Sequence, residues 1–269
     1  MENTTNRKPW IIIGVVVLVV LAVVVAFFIG RGGRETDSAS SSSSPAPASS
    51  PAASETSSAQ EWGQDSSDLF GRNIKVPING VGNPLGTVIP RRELECSTEN
   101  PQKLTIQRTH DMPTVWSQTL GPSVTTKGIP TGYDHTAEAA MMAMWNAMML
   151  YMHGGKSQKN ALEVVFTGPT AENELASMGE ETAPVSQNSL NGVGPAAFRV
   201  NSCNEDRVVG DLAMPLPTDE FGNPNKKAWS IFRVSARWEG SDWKVELGEV
   251  DQPLEDTVST LDGWTQWSF

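Results

Sequence analysis

Histidine and cysteine are the residue types that most often supply general bases, nucleophiles and metal ligands. This sequence contains few of them: His110, His135, His153, Cys96 and Cys203. No Ser-His-Asp order accompanies a G-x-S-x-G motif, and a metal site would need more ligands at closer spacing. His135 lies just before the expected start of a helix, where it either binds an anion or has a local structural role. The sequence therefore predicts no catalytic residue, no metal site and no cofactor.

The two cysteines allow one covalent link between distant parts of the chain. Outside the membrane they would pair, and Cys96–Cys203 would close a loop of about 107 residues, which stabilises a fold by up to about 4–5 kcal/mol in the chain-entropy model. Two separate thiols are the alternative. A disulfide would join an irregular segment to a predicted sheet.

Tryptophan is the third residue type with functional potential, because its ring binds sugars and peptides as readily as it fills a core. The chain has nine tryptophans in 269 residues. Five occur late in the sequence, and they either line a binding surface or pack in the sheet and core: Trp229, Trp238, Trp243, Trp264 and Trp267.

The element around which the rest of the chain is organised is an apolar run from Trp10 to Ile29. Twenty residues of helix span about 30 Å, the thickness of a bilayer's hydrocarbon core. We therefore expect a transmembrane helix over residues 10–30 after a cytoplasmic tail of residues 1–9. A cleaved signal peptide is the rival interpretation, but its apolar region is usually shorter and is followed by a small-residue cleavage site. Long domains translocate largely regardless of charge, which favours a C-terminal domain outside the cytoplasmic membrane.

A linker and an acidic domain follow the apolar run. Residues 31–60 are rich in Ser, Pro and Ala, which predicts a disordered tether. Residues 61–269 are expected to form one extracytoplasmic domain, of which 61–100 form an irregular wrapping segment. The chain carries −11 overall and +3 in residues 1–34, so residues 35–269 carry −14. This charge argues against binding nucleic acid through a broad surface.

The clearest helix of the domain begins after Thr136, a good N-cap, and ends at Gly154 and Gly155. One face carries Met141, Trp145, Met148 and Met152 at helical spacing. These side chains either pack in the core or form an adaptable binding groove, since methionine is flexible and polarisable.

The rest of the domain predicts two shorter helices and then a series of antiparallel strands. The helices are expected over Lys159–Phe166, with Ser157 as cap, and over Ala171–Met178. Alternating residues predict a strand at Leu104–Thr109 and four later ones, Ala197–Cys203, Arg207–Met214, Ala228–Trp238 and Trp243–Val250. The pattern predicts an α+β fold with a long core helix packed on a curved antiparallel sheet, similar to the nuclear-transport-factor-like and cystatin-like folds.

One stretch resembles a known family. It comprises Trp116-Ser117, Gly121-Pro122, Gly128, Pro130, Gly132-Tyr133, His135-Thr136 and Ala139-Ala140, with a second similar stretch at Leu261-Asp262-Gly263-Trp264. These residues resemble uncharacterised single-pass membrane proteins of actinobacteria that are often associated with integrative or conjugative elements. The resemblance implies a single N-terminal span, a Ser/Pro-rich tether and an extracytoplasmic domain, without an assigned chemistry.

Together these features predict a non-enzymatic, membrane-anchored envelope protein whose outer domain mediates protein–protein interaction, as an accessory of conjugation or secretion. The expected partners are the lipid bilayer, through the N-terminal helix, and other membrane or envelope proteins; a homo-oligomer is a further possibility, and nucleic acid is not expected. The alternative is a cell-wall glycan or peptide binding module that uses the late tryptophans.

Overall fold

The computed structural model describes residues 61–179, 192–219, 221–224, 226–248 and 255–269. Within these ranges, helices and strands are mixed along the chain, which confirms the α+β class. The helices are α1 (Ala137–His153), α2 (Gly155–Val164) and α3 (Pro169–Ser177). The strands are β1 (Ser66–Ser67), β2 (Asn73–Lys75), β3 (Thr105–Thr109), β4 (Met112–Trp116), β5 (Val124–Thr126), β6 (Ile129–Thr131), β7 (Phe166–Thr167), β8 (Ala197–Asn204), β9 (Arg207–Pro215), β10 (Trp229–Glu239), β11 (Asp242–Glu246), β12 (Glu255–Val258) and β13 (Thr265–Gln266).

The larger sheet has the strand order β13-β8-β9-β10-β11-β7, with β12 pairing to β10. Strands β8 to β11 form the antiparallel meander that alternation predicts. Phe198, Leu212 and Phe232 lie side by side across three of these strands, on the face that packs in the main core. On the opposite face, buried Ile231 anchors a second, smaller apolar cluster.

Helix α1 is the centre of the fold, as its apolar sequence predicts. It packs on β9, β10 and β11 of the larger sheet and on β4 of a smaller sheet with the order β1-β2-β3-β4. Thr136 caps the helix, because its hydroxyl accepts a hydrogen bond from Ala139 N at 3.1 Å. Contact with two sheets explains why even Glu138 and Asn146 are buried in this helix.

The junction between α1 and α2 differs from the expectation. Gly154 is both the C-cap of α1 and the N-cap of α2, so α2 starts at Gly155 and the prediction of a start at Lys159 is wrong. Gly154 and Gly155 both have positive φ, which lets the chain change direction without an intervening loop. Phe166, expected to end the helix, lies instead in β7 and pairs in parallel with Val245 of β11.

The turn-rich stretch before α1 contains strands that its sequence did not predict. Strand β4 pairs with β3, and β5 and β6 form a separate hairpin. Asp242 fixes the exit from this hairpin, because its carboxylate accepts hydrogen bonds from Gly132 N at 2.7 Å and Tyr133 N at 3.1 Å. Gly121 must remain glycine, since a Cβ there would lie 2.7 Å from Gly132 O. The residues of this stretch therefore form a scaffold for α1.

The start of the domain, residues 61–100, contains only two short strands, β1 and β2, among its described elements. Strand β2 pairs in parallel with β3. Glu95 is held at the start of α1, where its N–H donates to His135 O and its carbonyl accepts from Ala137 N. Within the described ranges, no helix is long and apolar enough to cross a membrane. The predicted membrane span Trp10–Ile29, the tail before it and the tether of residues 31–60 lie outside the described residues.

Candidate functional site

An apolar groove lies between the C-terminal half of α1 and the larger sheet. Its volume is about 650 Å³, within the range of about 300–1,000 Å³ typical of ligand pockets. We call it the α1–sheet groove. It is lined by Met148, Tyr151, Met152, Phe166, Phe232, Val234, Val245 and Leu247, and on its polar side by Arg207, Val209, Arg233, Ser235, Glu246 and Gly248.

The methionine stripe of α1 divides between core and groove. Met141 and Trp145 are fully buried in the main core. Met148 and Met152, one and two turns further along the same face, are only partly buried and line the groove. The core interpretation therefore describes Met141 and Trp145, and the groove interpretation describes Met148 and Met152. The groove half offers flexible thioethers that can adapt to different apolar surfaces.

Tyr151 and Phe166 form one wall of the groove, with ring centroids 5.5 Å apart. The Tyr151 hydroxyl lies 2.8 Å from both carboxylate oxygens of Glu174 on α3 and donates to that group. Gln158 of α2 donates to the same carboxylate, also at 2.8 Å. Burial and the neighbouring Glu174 raise the pKa of Tyr151 to about 12, so this hydroxyl stays protonated and fixes the wall in place.

Polar residues of the same strands border the groove, and they alternate with the apolar residues along each strand. Glu246 accepts hydrogen bonds from Arg207 Nε at 2.7 Å and Ser235 Oγ at 2.8 Å. Burial raises the pKa of Glu246, but these two hydrogen bonds and the cations Arg207 and Arg237 outweigh it and hold the pKa below its ordinary value. Glu246 is therefore an ionised partner of arginine and not a proton donor at neutral pH.

The side chains that line the groove are apolar groups, a tyrosine that donates to Glu174, two arginines, a serine and an ion-paired carboxylate. These lining residues include no activated nucleophile and no paired acid and base. Among the described residues, no group of three or more His, Cys, Asp or Glu could hold a metal ion.

The five late tryptophans lie in three separate places. Trp238 and Trp243 pack edge to face, and His135 stacks on Trp238 with ring centroids 4.3 Å apart. Trp229 and Trp264 belong to the small cluster on the outer face of the sheet, and Trp267 packs on Phe198 in the core. Trp243 and Trp267 are 1% and 6% exposed. The five rings therefore do not form one binding surface: Trp229 and Trp238 lie on opposite faces of β10, and Trp243 and Trp267 are buried.

His135, for which the sequence left anion binding open, is 3% exposed and lies among aromatic rings. Its ring nitrogens have no hydrogen-bond partner within the described part of the chain; the closest carboxylate oxygen, Asp206 Oδ1, is 3.8 Å from Nε2. This environment fits the local structural role.

Cys96 and Cys203 form a disulfide with their Cα atoms 5.9 Å apart. Cys203 is in β8, whereas Cys96 belongs to the wrapping segment. The bond therefore attaches residues 61–100 to β8 of the larger sheet, and it joins positions 107 residues apart.

Sequence reasoning missed most of the groove. Phe166 was placed in a helix, and Leu247 and Glu246 had no assigned role. The signal that the sequence does contain is the alternation along the predicted strand Ala228–Trp238, which puts Phe232 and Val234 on one face. That this face meets Met148 and Met152 depends on contacts between residues about 80 apart in the chain, which no local pattern contains.

Comparison with known proteins gives one family and no characterised relative. The model of a family described as a domain of unknown function (DUF8175) matches residues 87–266. No curated protein and no solved structure is similar to the chain. The match contains the scaffold before α1, the disulfide and every residue that lines the groove. Because it covers about two thirds of the chain, the protein belongs to the DUF8175 family.

Proposed function

We propose that this protein is a non-enzymatic, membrane-anchored envelope protein whose extracytoplasmic domain binds an apolar segment of a partner protein in the α1–sheet groove. The observation that carries the proposal is the groove itself. It joins two adaptable methionines of α1 to a wall of aromatic and aliphatic side chains from the sheet. This is the composition of a surface that accepts the apolar face of a peptide.

The anchoring part of the proposal rests on the sequence. The run Trp10–Ile29 has the length and apolarity of a membrane span, and the Ser/Pro/Ala-rich stretch after it suits a tether. A flexible coil of about 30 residues spans roughly 30 Å. Such a tether would let the domain reach partners near the membrane surface. A helix against an antiparallel sheet is also the arrangement of nuclear-transport-factor-like and cystatin-like domains, so we include that likeness in the proposal.

The resemblance to membrane proteins of actinobacterial integrative and conjugative elements suggests which partner to expect. We propose subunits of a conjugation or secretion assembly as the partners, with a second copy of this chain as the competing occupant. An ionised Glu246 held by Arg207 lies beside the apolar wall, so the bound segment should combine apolar residues with polar groups at one edge.

The test is photo-crosslinking from inside the groove in the native membrane. A benzophenone amino acid replaces Met152 in one variant and Phe221, an exposed residue outside the groove, in the control. We expect the Met152 position to yield a discrete crosslinked protein that the Phe221 position does not yield. Adding Met148→Lys to the Met152 variant should abolish that product, because a charge enters the apolar wall.

The partner segment identified by the crosslink allows a direct measurement of binding. A synthetic peptide of the crosslinked segment should bind the full-length wild type and lose at least tenfold in affinity with Met148→Lys. Crosslinks only between copies of this chain would replace the partner with a homo-oligomer. Identical products from both positions, or none, would contradict the proposal.

A wall-binding role is the second candidate, favoured by the partly buried pair Trp229 and Trp264 on the outer face of the sheet. The groove is preferred because the Arg199 guanidinium lies 4.8 Å from the Trp264 ring centroid and covers one face of that ring. If glycan binding is the function, Trp229→Ala should reduce retention of the full chain on purified wall material, whereas Phe221→Ala should not. Retention that is equal in both variants would remove this candidate.

A further inference from the structure

A second pocket, of about 670 Å³, lies where three turns of the chain meet, and it shares no lining residue with the α1–sheet groove. It is lined by Val81, His110, Lys127, Gly128, His153, Lys156, Ser157 and Asn160. These side chains include two lysines and two histidines but no carboxylate. Four basic side chains without a carboxylate among the lining residues contrast with the net charge of −14 over residues 35–269.

Two hairpin turns build one side of the pocket. His110 belongs to the two-residue turn between β3 and β4, and Lys127 and Gly128 form the turn between β5 and β6. His110 Nε2 lies 2.9 Å from Gly128 O. Glycine suits this position, because Gly128 has a φ of +80° and a Cβ there would lie 3.0 Å from the same nitrogen. The positions of His110 and Lys127 are therefore fixed by the backbone.

The start of α2 builds the other side. This ten-residue helix has Gly154 as N-cap, and no side chain caps it. Lys156 and Ser157 are its second and third residues, so the N–H groups of the first turn, which have no intrahelical partner, lie at the pocket. The partial positive charge of a helix N-terminus favours an anion at such a place.

Ser157 supplies an independent indication of a ligand. This residue lines the pocket and is only 4% exposed, yet its Oγ has no hydrogen-bond partner among the described residues. A buried hydroxyl without a partner is unfavourable, and most buried polar side chains are satisfied. An oxyanion bound at the first turn of α2 would accept a hydrogen bond from this hydroxyl.

The charges around the pocket also suit an anion. Lys127 Nζ forms an ion pair with Glu163 Oε2 at 2.6 Å, which neutralises part of its charge. Lys156 is exposed and forms no ion pair or side-chain hydrogen bond with the described residues. Asn160 donates to Lys127 O at 2.9 Å and so links α2 to the β5–β6 turn. Lys156 is thus the cation most available to a ligand.

We propose that this pocket binds a phosphate group. In this assignment the first-turn N–H groups of α2 and the Ser157 hydroxyl donate to the phosphate oxygens, and Lys156 neutralises their charge. The phosphate comes from one of two sources, a free phosphate ion or the headgroup of an anionic phospholipid. The site is separate from the partner-binding groove, so the two proposals succeed or fail independently.

The test measures amide hydrogen exchange of residues 153–160 by mass spectrometry, using the full chain in lipid nanodiscs. One arm adds inorganic phosphate to phosphatidylcholine nanodiscs, with chloride as the control at equal ionic strength. The other arm uses nanodiscs that contain phosphatidylglycerol, without added phosphate. We expect exchange in this segment to slow at least fivefold in one arm. Protection by inorganic phosphate identifies the free ion as the source, and protection only by phosphatidylglycerol identifies the headgroup. No protection in either arm overturns the proposal.

Two variants separate binding from folding. Lys156→Gln should remove most of the protection. Lys103→Gln, an exposed lysine at the opposite end of β3 from His110, should retain it. Ser157→Ala should weaken protection while leaving the melting temperature without ligand equal or higher, because it removes an unpartnered buried hydroxyl. A Ser157→Ala variant that is less stable but equally protected would show that this hydroxyl only supports the fold and would overturn the assignment.

Discussion

At the scale of single residues, Asn146 connects helix α1 to strand β4. It lies on α1, but its side chain makes the backbone hydrogen bonds that a neighbouring strand would otherwise make. The carboxamide oxygen accepts from Val115 N at 2.7 Å, and Nδ2 donates to Val115 O at 2.9 Å and to Tyr133 Oη at 2.8 Å. Strand β4 is the last strand of the smaller sheet, so Asn146 satisfies backbone groups at its open edge.

Replacing Asn146 with alanine should destabilise the domain by about 2–4 kcal/mol, because it leaves a buried N–H and C=O of Val115 without partners. The measurement is thermal and denaturant unfolding of the full chain in detergent micelles, followed by tryptophan fluorescence. Asn173→Ala, at an exposed position of α3, is the matched control and should change stability by less than about 0.5 kcal/mol. Equal effects of the two substitutions would show that the edge of β4 does not depend on Asn146.

Glu138 makes stability depend on pH. Burial near the start of α1 raises its pKa from 4.5 to about 7, and the hydrogen bond from Gln102 N opposes this only in part. The folded state then binds a proton more tightly than the unfolded state. The resulting stabilisation is complete below about pH 4.5 and is lost as the pH rises through about 7, by at most about 3 kcal/mol.

Glu138→Gln should remove this dependence, since a neutral amide can still accept the hydrogen bond from Gln102 N. We expect the variant to be more stable than the wild type at pH 8 and to differ little from it at pH 5. Melting temperatures of both proteins between pH 5 and 8 provide the measurement. If the two curves remain parallel across this range, Glu138 does not titrate with a raised pKa.

At the scale of elements, the disulfide makes the wrapping segment part of the domain. Cys96 and Cys203 close a loop of 107 residues that contains α1, α2 and α3. The double variant Cys96→Ala/Cys203→Ala should lose about 4–5 kcal/mol in the chain-entropy model, with faster hydrogen exchange in residues 91–100. A reducing agent should lower the stability of the wild type and leave the double variant unchanged. Destabilisation of both by the reductant would point to a cause other than this bond.

The sequence predicted elements where local signals are strong. Thr136 and Gly154 mark the ends of α1, and alternation marks β8 to β11, so these predictions are confirmed. It failed at the start of α2: Gly154 ends α1 as predicted, but the same residue also caps α2, which begins at Gly155 and not at Lys159. The sequence predicted only the helical side of the groove. The methionine stripe follows from spacing within one helix, whereas the residues that face it on β7, β10 and β11 are brought together by packing.

At the scale of the whole molecule, charge and covalent chemistry bear on where the domain resides. A net charge of −14 over residues 35–269 favours a solvated domain that avoids anionic surfaces, with the cationic pocket as a local exception. A disulfide persists in an oxidising compartment and is rare in a reducing cytosol. The disulfide agrees with the proposed position of the domain outside the cytoplasmic membrane, whereas the charge bears only on solvation.

The proposed topology predicts the redox state of the two cysteines in cells. If residues 10–30 deliver the domain to the outside, Cys96 and Cys203 should be oxidised when cells are quenched with an alkylating agent. Deleting residues 10–30 should leave the protein out of the membrane fraction with both thiols alkylated, because the cytosol keeps cysteines reduced. Protease added to intact spheroplasts should digest the wild-type domain and spare the N-terminal tail. A domain that resists protease until the membrane is permeabilised, with reduced cysteines, would place it in the cytosol and reverse the proposed orientation.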